Sequence, residues 1–109
     1  MKNVVAFIRP ERLPQVKQEL FTKDLFGLSV TNILGSGQQK GFTETYRGVT
    51  LEVNLLKKLR IELIVQDERL NDAISAIETG ARTGAEGDGI IFFQNIGGAT
   101  RIRTGESLA

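Results

Sequence analysis

The sequence contains no cysteine and no histidine among its 109 residues. Without cysteine there are no disulfides or thiolate nucleophiles, and without histidine there is no Ser-His or Cys-His pair and none of the usual zinc sites. The 14 basic residues nearly balance the 13 acidic ones, and a net charge of +1 gives no field that would attract nucleic acid or an anionic membrane. No apolar run approaches the roughly 18 residues of a spanning helix, and the first residues do not open a signal peptide. We expect a soluble, intracellular protein that is not an enzyme and does not bind nucleic acid.

The apolar residues that are present repeat a pattern of strand, helix and strand twice. Continuous or alternating apolar residues predict strands over 4–8, 28–34, 59–65 and 90–93. Helical spacing predicts a first helix from Pro10 to about Leu25, ended by Gly27 in the left-handed conformation. It predicts a second helix from an N-cap at Asp67 to about Ala81.

The two helices also begin with similar sequences. Pro-Glu-Arg-Leu at 10–13 and Asp-Glu-Arg-Leu at 67–70 lie 57 positions apart. Two βαβ units in a chain of this length predict an α+β protein, the ferredoxin-like double βαβ sandwich, with two helices on one face of one sheet. We expect a single domain over 1–109, because a chain this short buries only one core.

Two segments go beyond what such a sandwich requires. Residues 35–55 join its two halves, and a connection this long in a small domain is usually functional or disordered. Within it, apolar residues alternate from Val49 to Leu55, as they do in a strand. The C-terminal segment alternates arginine with isoleucine over 100–105, which predicts a short fifth strand.

Three elements of the chain have the composition of an anion site. Glycines at 84, 87 and 89 let the backbone approach an anion, and exposed N–H groups in such a turn can bind phosphate. On a strand, Arg101 and Arg103 would share a face, where they repel each other unless an anion lies between them. A second glycine-containing turn occupies 35–39. Each element alone fits a plain turn or a solvated pair, but together they favour an anionic ligand that carries phosphate.

A catalytic function has less support in the residues. The acidic residues Asp24, Glu44, Glu62 and Asp88 are scattered without paired spacing. The alternative from another class of protein is an acylphosphatase-like enzyme that uses Arg9, the residue after the first predicted strand. The glycine-rich cradle expected beside that arginine is absent, and phosphatase turnover that depends on Arg9 would revive this alternative.

An RNA-recognition module of the same fold class needs aromatic residues that stack on bases from the central strands. Phe7, Phe92 and Phe93 lie in continuous apolar runs. We therefore expect these three residues to belong to the core.

Taken together, the motifs resemble those of the PII signal-transduction family over nearly the whole chain. The resemblance is carried by 37–41 (GQQKG) with Thr43-Glu44 and Tyr46-Arg47-Gly48, by 81–84 (ARTG) with 87–89 (GDG), and by 101–106 (RIRTGE). These motifs are long and specific, and they align without gaps.

The resemblance implies a cytoplasmic homotrimer of ferredoxin-like subunits that binds ATP or ADP in each cleft between subunits. Threefold packing would also cover the sheet face that a single sandwich leaves exposed. A long exposed T-loop, here about 38–55, would dock onto a target protein, either a transporter or an enzyme. The chain would then meet a membrane only through a transporter, and its C-terminal segment would be 97–109.

The resemblance also implies which residues bind the nucleotide. The main chain at Gly87, Asp88 and Gly89 would contact the phosphates, and Arg101 and Arg103 would reach them from the neighbouring subunit. Ser29, Gly35, Gly37, Glu62 and Ile64 would line the adenine and ribose side, and Ser36, Gln38 and Thr83 complete the nucleotide-site residues.

In members of the family that sense 2-oxoglutarate, a glutamine at the position of Gln39 helps to hold Mg²⁺ with the ATP phosphates. The backbone around Lys40 and Gly41 and a lysine that matches Lys58 contact the 2-oxoglutarate. These residue types are present, so Mg²⁺ and 2-oxoglutarate are candidate ligands beside ATP, and no cofactor is required.

The chain departs from the family pattern where the family is modified and where it binds phosphate. Leu51 replaces the tyrosine of uridylylated members and Val49 the serine that cyanobacterial members phosphorylate, so neither modification can occur there. Gln38 replaces a usual arginine, and Ile90 replaces the usual lysine after Gly-Asp-Gly, which leaves Glu62 without its customary partner. Each charge-assisted phosphate contact contributes about 1.5–3 kcal/mol. We therefore expect discrimination to shift from ATP toward ADP or AMP.

Two regulatory functions are compatible with these departures. In the first, the protein binds adenylates together with a different small metabolite, for which bicarbonate is a candidate, and controls a specialised partner such as an inorganic-carbon transporter. The alternative is a regulator of nitrogen metabolism that responds to ATP, ADP and 2-oxoglutarate. The altered phosphate site and the apolar loop favour the first, although no residue by itself indicates bicarbonate.

Overall fold

The part of the chain that the structure describes consists of six strands and two α-helices, each of the helices opened by a 3₁₀ turn. The computed structural model describes residues 1–35, 42–46, 49–53 and 55–108. Its strands are β1 (Lys2–Ile8), β2 (Ser29–Gly35), β3 (Phe42–Tyr46), β4 (Val49–Val53), β5 (Leu56–Val65) and β6 (Ile90–Asn95). Its helices are α1 (Leu13–Thr22) and α2 (Leu70–Ala81). Neither of these helices is both long and apolar enough to cross a membrane.

Four strands form one antiparallel sheet in the order β2-β5-β1-β6, and both helices pack against one face of it. This arrangement is the α+β sandwich that the repeated pattern predicted. A separate two-stranded antiparallel sheet pairs β3 with β4. The alternation after Val49 correctly predicted β4, whereas β3 has no counterpart among the predicted strands.

The core lies between the four-stranded sheet and the helices. Successive residues of a strand point to opposite faces, so every second residue of β1 and β5 faces the helices. The buried cluster consists of Val4, Ala6, Ile8, Val16, Leu20, Leu25, Leu59, Ile61, Leu63, Val65, Ala73, Ala76, Ile77 and Ala81. Where the helices meet, a Cβ atom on Gly80 would lie 2.6 Å from the Cα of Val16. The close approach of α2 to α1 therefore depends on the missing side chain at position 80.

Each helix begins with one turn of 3₁₀ helix at the repeated sequence. These turns are Pro10–Arg12 and Asp67–Arg69. In each, the N–H of the arginine donates to the carbonyl three residues earlier, at 3.0 Å and 2.9 Å respectively. The α-helices then start at Leu13 and Leu70. The sequence repeat is therefore also a repeat of backbone structure.

The first helix ends earlier than predicted, at Thr22. Asp24 has a positive φ of 58°, and the N–H of Leu25 donates back to the carbonyl of Leu20 at 2.9 Å. This is a left-handed helix end, formed by an aspartate, a residue type that tolerates the conformation better than most. Gly27 has the predicted positive φ, 76°, but it lies five residues beyond Thr22, so the prediction that it ends the helix is wrong.

Asp67 does not act as the N-cap of the second helix. The N-cap position of its 3₁₀ turn belongs to Gln66, and no side-chain hydrogen bond caps that turn. The Oδ1 of Asp67 lies instead 3.0 Å from the N-terminal ammonium of Met1 and 3.5 Å from Nζ of Lys2. The Asp67 carboxylate thus pairs with two cations at the start of β1 and not with the amides of its own helix.

The C-terminal segment is not a fifth strand. Thr100 and Ser107 form an isolated antiparallel bridge, and residues 102–104 form a turn between them. The N–H of Arg101 donates to the carbonyl of Glu106 at 2.8 Å, which closes this turn. Arg101 and Arg103 therefore do not share the face of a strand as predicted.

The aromatic residues near β6 are less buried than predicted. Phe93 is 50% exposed, because β6 is an edge strand. Phe7 and Phe92 are half-buried and meet edge to face on the other side of the sheet, with ring centroids 5.7 Å apart. The prediction of a core position is therefore wrong for Phe93, and the other two lie outside the helix-covered core.

Candidate functional site

Several of the predicted ligand-binding residues share the face of the sheet that has no helix on it. Directly opposed residues of antiparallel strands project to the same face. This face carries Lys58, Arg60, Glu62 and Ile64 of β5, Ser29, Thr31 and Ile33 of β2, and Asn3, Val5 and Phe7 of β1. Ser29 stands directly opposite Glu62. The structure therefore brings Ser29, Glu62 and Ile64 together, as the resemblance implies.

Glu62 has two partners on this face. Its Oε2 accepts a hydrogen bond from Nδ2 of Asn3 at 3.2 Å and lies 3.6 Å from Nη2 of Arg60. With isoleucine at position 90 the customary lysine partner is absent, as predicted, and Glu62 is paired instead with Asn3 and Arg60. Residues two apart on a strand share a face, and this places Arg60 beside Glu62.

Asp88 holds the glycine-rich turn over 83–89 together. Its Oδ2 accepts from the main-chain N–H groups of Thr83 and Gly84, both at 2.8 Å, and its Oδ1 accepts from the Thr83 hydroxyl. The hydrogen bonds from the Thr83 side chain and main chain, with those from Gly84 and Arg9, hold the pKa of Asp88 well below its ordinary value. The Asp88 and Thr83 side chains thus bond within the turn itself.

Two cations attach this turn to the sheet. The Nε of Arg9 lies 3.1 Å from Oδ1 of Asp88, and Nη2 of the same guanidinium donates to the carbonyl of Glu86. The Nζ of Lys58 donates to the carbonyl of Gly87 at 2.5 Å. Burial and the nearby Arg9 charge lower the pKa of Lys58. The turn therefore lies against two positive charges.

The turn presents main-chain donors beside these cations. Among the residues that the structure describes, the N–H groups of Gly87 and Asp88 find no acceptor. Adjacent N–H groups next to positive side chains form a binding site for an anion such as phosphate. The composition of 84–89 predicted this property, and the geometry is compatible with it.

The residues assigned to one nucleotide lie far apart within a single chain. Gly35 stands opposite Leu56 at one end of the β2–β5 pair, and a Cβ atom on Gly35 would lie 3.3 Å from Cγ of Lys58. Ser29 and Glu62 stand opposite each other at the other end. From Ser29 to Gly35 is six residues of strand, about 20 Å at a rise of about 3.4 Å per residue. One adenosine is too short to contact both Gly35 and Ser29 of the same chain.

The C-terminal arginines contact their own segment. The Nε of Arg101 lies 4.0 Å from Oε2 of Glu106, and Arg103 is exposed in the turn that follows. Neither forms a hydrogen bond or ion pair with the 83–89 turn of the same chain, within the part of the chain that the structure describes. Their predicted contact with phosphate is thus not made within one chain.

Several predicted site residues lie outside the described residues. These are Ser36, Gly37, Gln38, Gln39, Lys40 and Gly41. The described ranges contain no group of three acidic, histidine or cysteine side chains that could hold a metal ion. Binding of Mg²⁺ would therefore depend on ligand phosphates and on Gln39, and it stays a prediction.

The sequence analysis missed the part that Arg9 plays in this site. Arg9 was considered as a residue of an enzyme, whereas it bonds the glycine-rich turn. The only indication in the sequence was a basic residue directly after a predicted strand. It could not be interpreted from sequence because the partner residues are 77 and 79 positions away.

Comparison with known proteins decides the family. The model of the family "Nitrogen regulatory protein P-II" matches residues 1–106. The "Nitrogen regulatory protein P-II 2" of Methanothermobacter thermautotrophicus is 45% identical over 107 residues, 98% of this chain and 93% of the relative. The chain belongs to the P-II family.

Other P-II proteins have a similar identity over nearly their full length. "Nitrogen regulatory protein P-II" of Rhizobium etli is 47% identical over 107 residues, 98% of this chain and 96% of the relative. That of Rhodospirillum rubrum is 47% identical over 106 residues, 97% of this chain and 95% of the relative. The resemblance seen in the motifs is thereby confirmed.

Membership of the P-II family gives the coarse function. P-II proteins are regulatory signal-transduction proteins and not enzymes, and this chain is a P-II-type regulator. The names of the relatives refer to nitrogen, which favours the nitrogen interpretation that the sequence analysis had placed second.

Proposed function

We propose that this P-II protein binds adenine nucleotides between the subunits of a homotrimer and passes the bound state to a target protein through its T-loop, about 38–55. The observation that carries the proposal is the 83–89 turn. Its Gly87 and Asp88 N–H groups are available beside Arg9 and Lys58, which is the arrangement that phosphate oxygens require.

The separation of the site residues supports a cleft between copies. Gly35 lies at one end of the β2–β5 pair and Ser29 with Glu62 at the other, so one adenosine would contact both groups only if a second copy supplied one of them. Within the described part of the chain, neither Arg101 nor Arg103 forms a hydrogen bond or ion pair with the 83–89 turn, so both could reach a neighbouring subunit. A trimer would also cover the helix-free face, where Ile64 is 53% exposed and Ile90 is 57% exposed.

We propose regulation of nitrogen metabolism as the process, with ATP, ADP and 2-oxoglutarate as the signals. The relatives' names support this choice. The hypothesis of a carbon-related partner with bicarbonate as co-ligand stays a prediction that the same experiment tests. The target, whether a transporter or an enzyme, would be recognised in the cytoplasm by the T-loop.

The test is a calorimetric titration of the protein with AMP, ADP and ATP in the presence of Mg²⁺. Each titration is repeated with 2-oxoglutarate and with bicarbonate. We expect saturable binding of at least one adenylate, one site per chain, and light scattering that gives three times the chain mass of 12.0 kDa.

The outcomes separate the alternatives. If 2-oxoglutarate tightens ATP binding, the protein is a nitrogen regulator. If it has no effect while bicarbonate changes the affinity for ADP or AMP, the carbon hypothesis is correct. Absence of saturable binding by all three adenylates would contradict the proposed function, and a monomer that binds them would contradict the intersubunit site.

A further inference from the structure

Arg9 reaches the 83–89 turn with two nitrogens of one guanidinium. Its Nε lies 3.1 Å from Oδ1 of Asp88, and its Nη2 donates to the carbonyl of Glu86. The Arg9 side chain is 21% exposed. A planar guanidinium that bonds two partners fixes both of them in direction. The turn is therefore held in one orientation relative to the end of β1.

Lys58 bonds the next carbonyl of the same turn. Its Nζ donates to the carbonyl of Gly87 at 2.5 Å. Gly35 packs against the stem of this lysine, since a Cβ atom there would lie 3.3 Å from Cγ of Lys58. Two successive carbonyls, those of Glu86 and Gly87, are thus bound by cations, one directly after β1 and the other on β5.

Because each peptide bond is planar, a contact that fixes a carbonyl also fixes the direction of the N–H group that follows it. In a trans peptide, a carbonyl and the N–H of the next residue point in opposite directions, and the described residues contain no cis peptide. The Glu86 carbonyl shares its peptide plane with the N–H of Gly87, and the Gly87 carbonyl shares its plane with the N–H of Asp88. Arg9 therefore directs the first N–H away from itself, and Lys58 does the same for the second.

We propose that Arg9 is a positioning residue of the anion site. By binding the Glu86 carbonyl and the Asp88 carboxylate, it orients the Gly87 N–H toward a phosphate oxygen, while Lys58 orients the Asp88 N–H. Arg9 has this effect through the peptide, without itself touching the ligand. The inference rests on the proposed binding of adenylates for its ligand, and on the structure alone for the orientation of the turn.

The orientation is tested first without nucleotide. Amide resonances and hydrogen exchange of the ¹⁵N-labelled protein are compared among wild type, Arg9→Ala, Arg9→Gln and Arg12→Ala. The matched control is Arg12, whose Nε donates to the carbonyl of Gly80 in α2, outside the 83–89 turn. We expect the Gly87 amide to shift and to exchange faster in both Arg9 variants and to stay unchanged in Arg12→Ala. If the Gly87 amide keeps its chemical shift and exchange rate in Arg9→Gln, the proposal is wrong. The same variant provides the test if Arg9→Ala does not fold.

The consequence for binding is measured with ADP at about 0.1 M and about 1 M salt. Because roughly 1 M salt shortens the screening length to about 3 Å, an effect of distant charge disappears there and an effect of donor orientation persists. We expect Arg9→Ala to lower the affinity for ADP at least tenfold at both salt concentrations. Arg9→Lys keeps the charge but not the planar guanidinium, so it should recover only part of the lost affinity.

Two results would contradict this role. One is an affinity within twofold of wild type in Arg9→Ala, and the other is a loss that vanishes at high salt. If the wild-type protein binds no adenylate, the proposed function fails, whereas the amide measurement still decides whether Arg9 orients the turn.

Discussion

Arg12 and Arg69 stand at the starts of α1 and α2, and each donates a hydrogen bond to a carbonyl at the end of the opposite helix. The Nε of Arg12, at the start of α1, donates to the carbonyl of Gly80 near the end of α2 at 2.9 Å. The Nη2 of Arg69, at the start of α2, donates to the carbonyl of Lys23 just after α1. The carbonyls at a helix C-terminus lack partners within the helix and carry partial negative charge. The two arginines satisfy this need reciprocally and hold the helices antiparallel to each other.

Replacing either arginine should therefore destabilise the fold. We expect Arg12→Ala and Arg69→Ala each to lower the free energy of unfolding by about 1–2 kcal/mol, the range for a partly exposed charged hydrogen bond at a helix end. Urea denaturation at neutral pH measures this. The control is Arg82→Ala, which breaks only an exposed ion pair with Glu78 on α2 and should change stability by less than about 0.5 kcal/mol. If all three substitutions lower the free energy of unfolding equally, the helix-end contacts contribute no more than an exposed ion pair.

Gly89 and Gly84 should respond differently to the same substitution. Both have positive φ, 104° and 88°, but a Cβ on Gly89 would lie 1.7 Å from the carbonyl oxygen of Phe7, whereas at Gly84 it would meet nothing within 4 Å. We expect Gly84→Ala to cost about 1–2 kcal/mol, from the backbone conformation alone. Gly89→Ala should cost clearly more, because the turn must also move away from β1. Thermal unfolding of the two variants measures the difference, and similar values would argue against the close approach to β1.

The stabilising effect of the Asp88 carboxylate should depend on pH. Its pKa is lowered from the ordinary 3.8, so the carboxylate stabilises the folded state above that value, and the stabilisation is lost as the pH falls below it. The unfolding free energies of wild type and Asp88→Asn should differ by a constant amount above about pH 5 and converge below about pH 4. Urea denaturation at pH 7, 5, 4 and 3 tests this. A difference that does not vary with pH would mean that hydrogen-bond geometry, not charge, accounts for the effect of Asp88.

A lysine at position 90 should restore preference for ATP. Ile90 opposes Phe7 on the helix-free face of the sheet and follows Gly89 directly, and its side chain is 57% exposed. An added charge-assisted contact contributes about 1.5–3 kcal/mol, so Ile90→Lys should raise the affinity for ATP by roughly tenfold or more and that for AMP much less. Phe93→Lys is the matched control, since it adds the same charge to β6 on the other face of the sheet. Calorimetry decides the question, and equal gains in the two variants would indicate a long-range charge effect.

The glycine-rich turn shows how far the site could be predicted. The residue types at 84–89 indicated an anion site because glycine and exposed amides have that property wherever they occur. Which groups would hold the turn could not be read from the chain. Arg9 and Lys58 are 77 and 29 positions from the carbonyls they bond, and contacts over such separations are decided by the packing of the strands.

The sequence by itself determined the elements and their repetition. Periodicities of about two and 3.6 residues, with the repeated Glu-Arg-Leu at 11–13 and 68–70, depend only on local geometry, so both βαβ units were predictable. Long motifs likewise identified the family.

The tertiary structure alone decided which polar groups are paired. Asp67 bonds the start of β1 instead of its own helix, and Glu62 accepts a hydrogen bond from Asn3 on the neighbouring strand. Partners of this kind are chosen by distance in the folded chain, and a linear pattern carries no information about that distance.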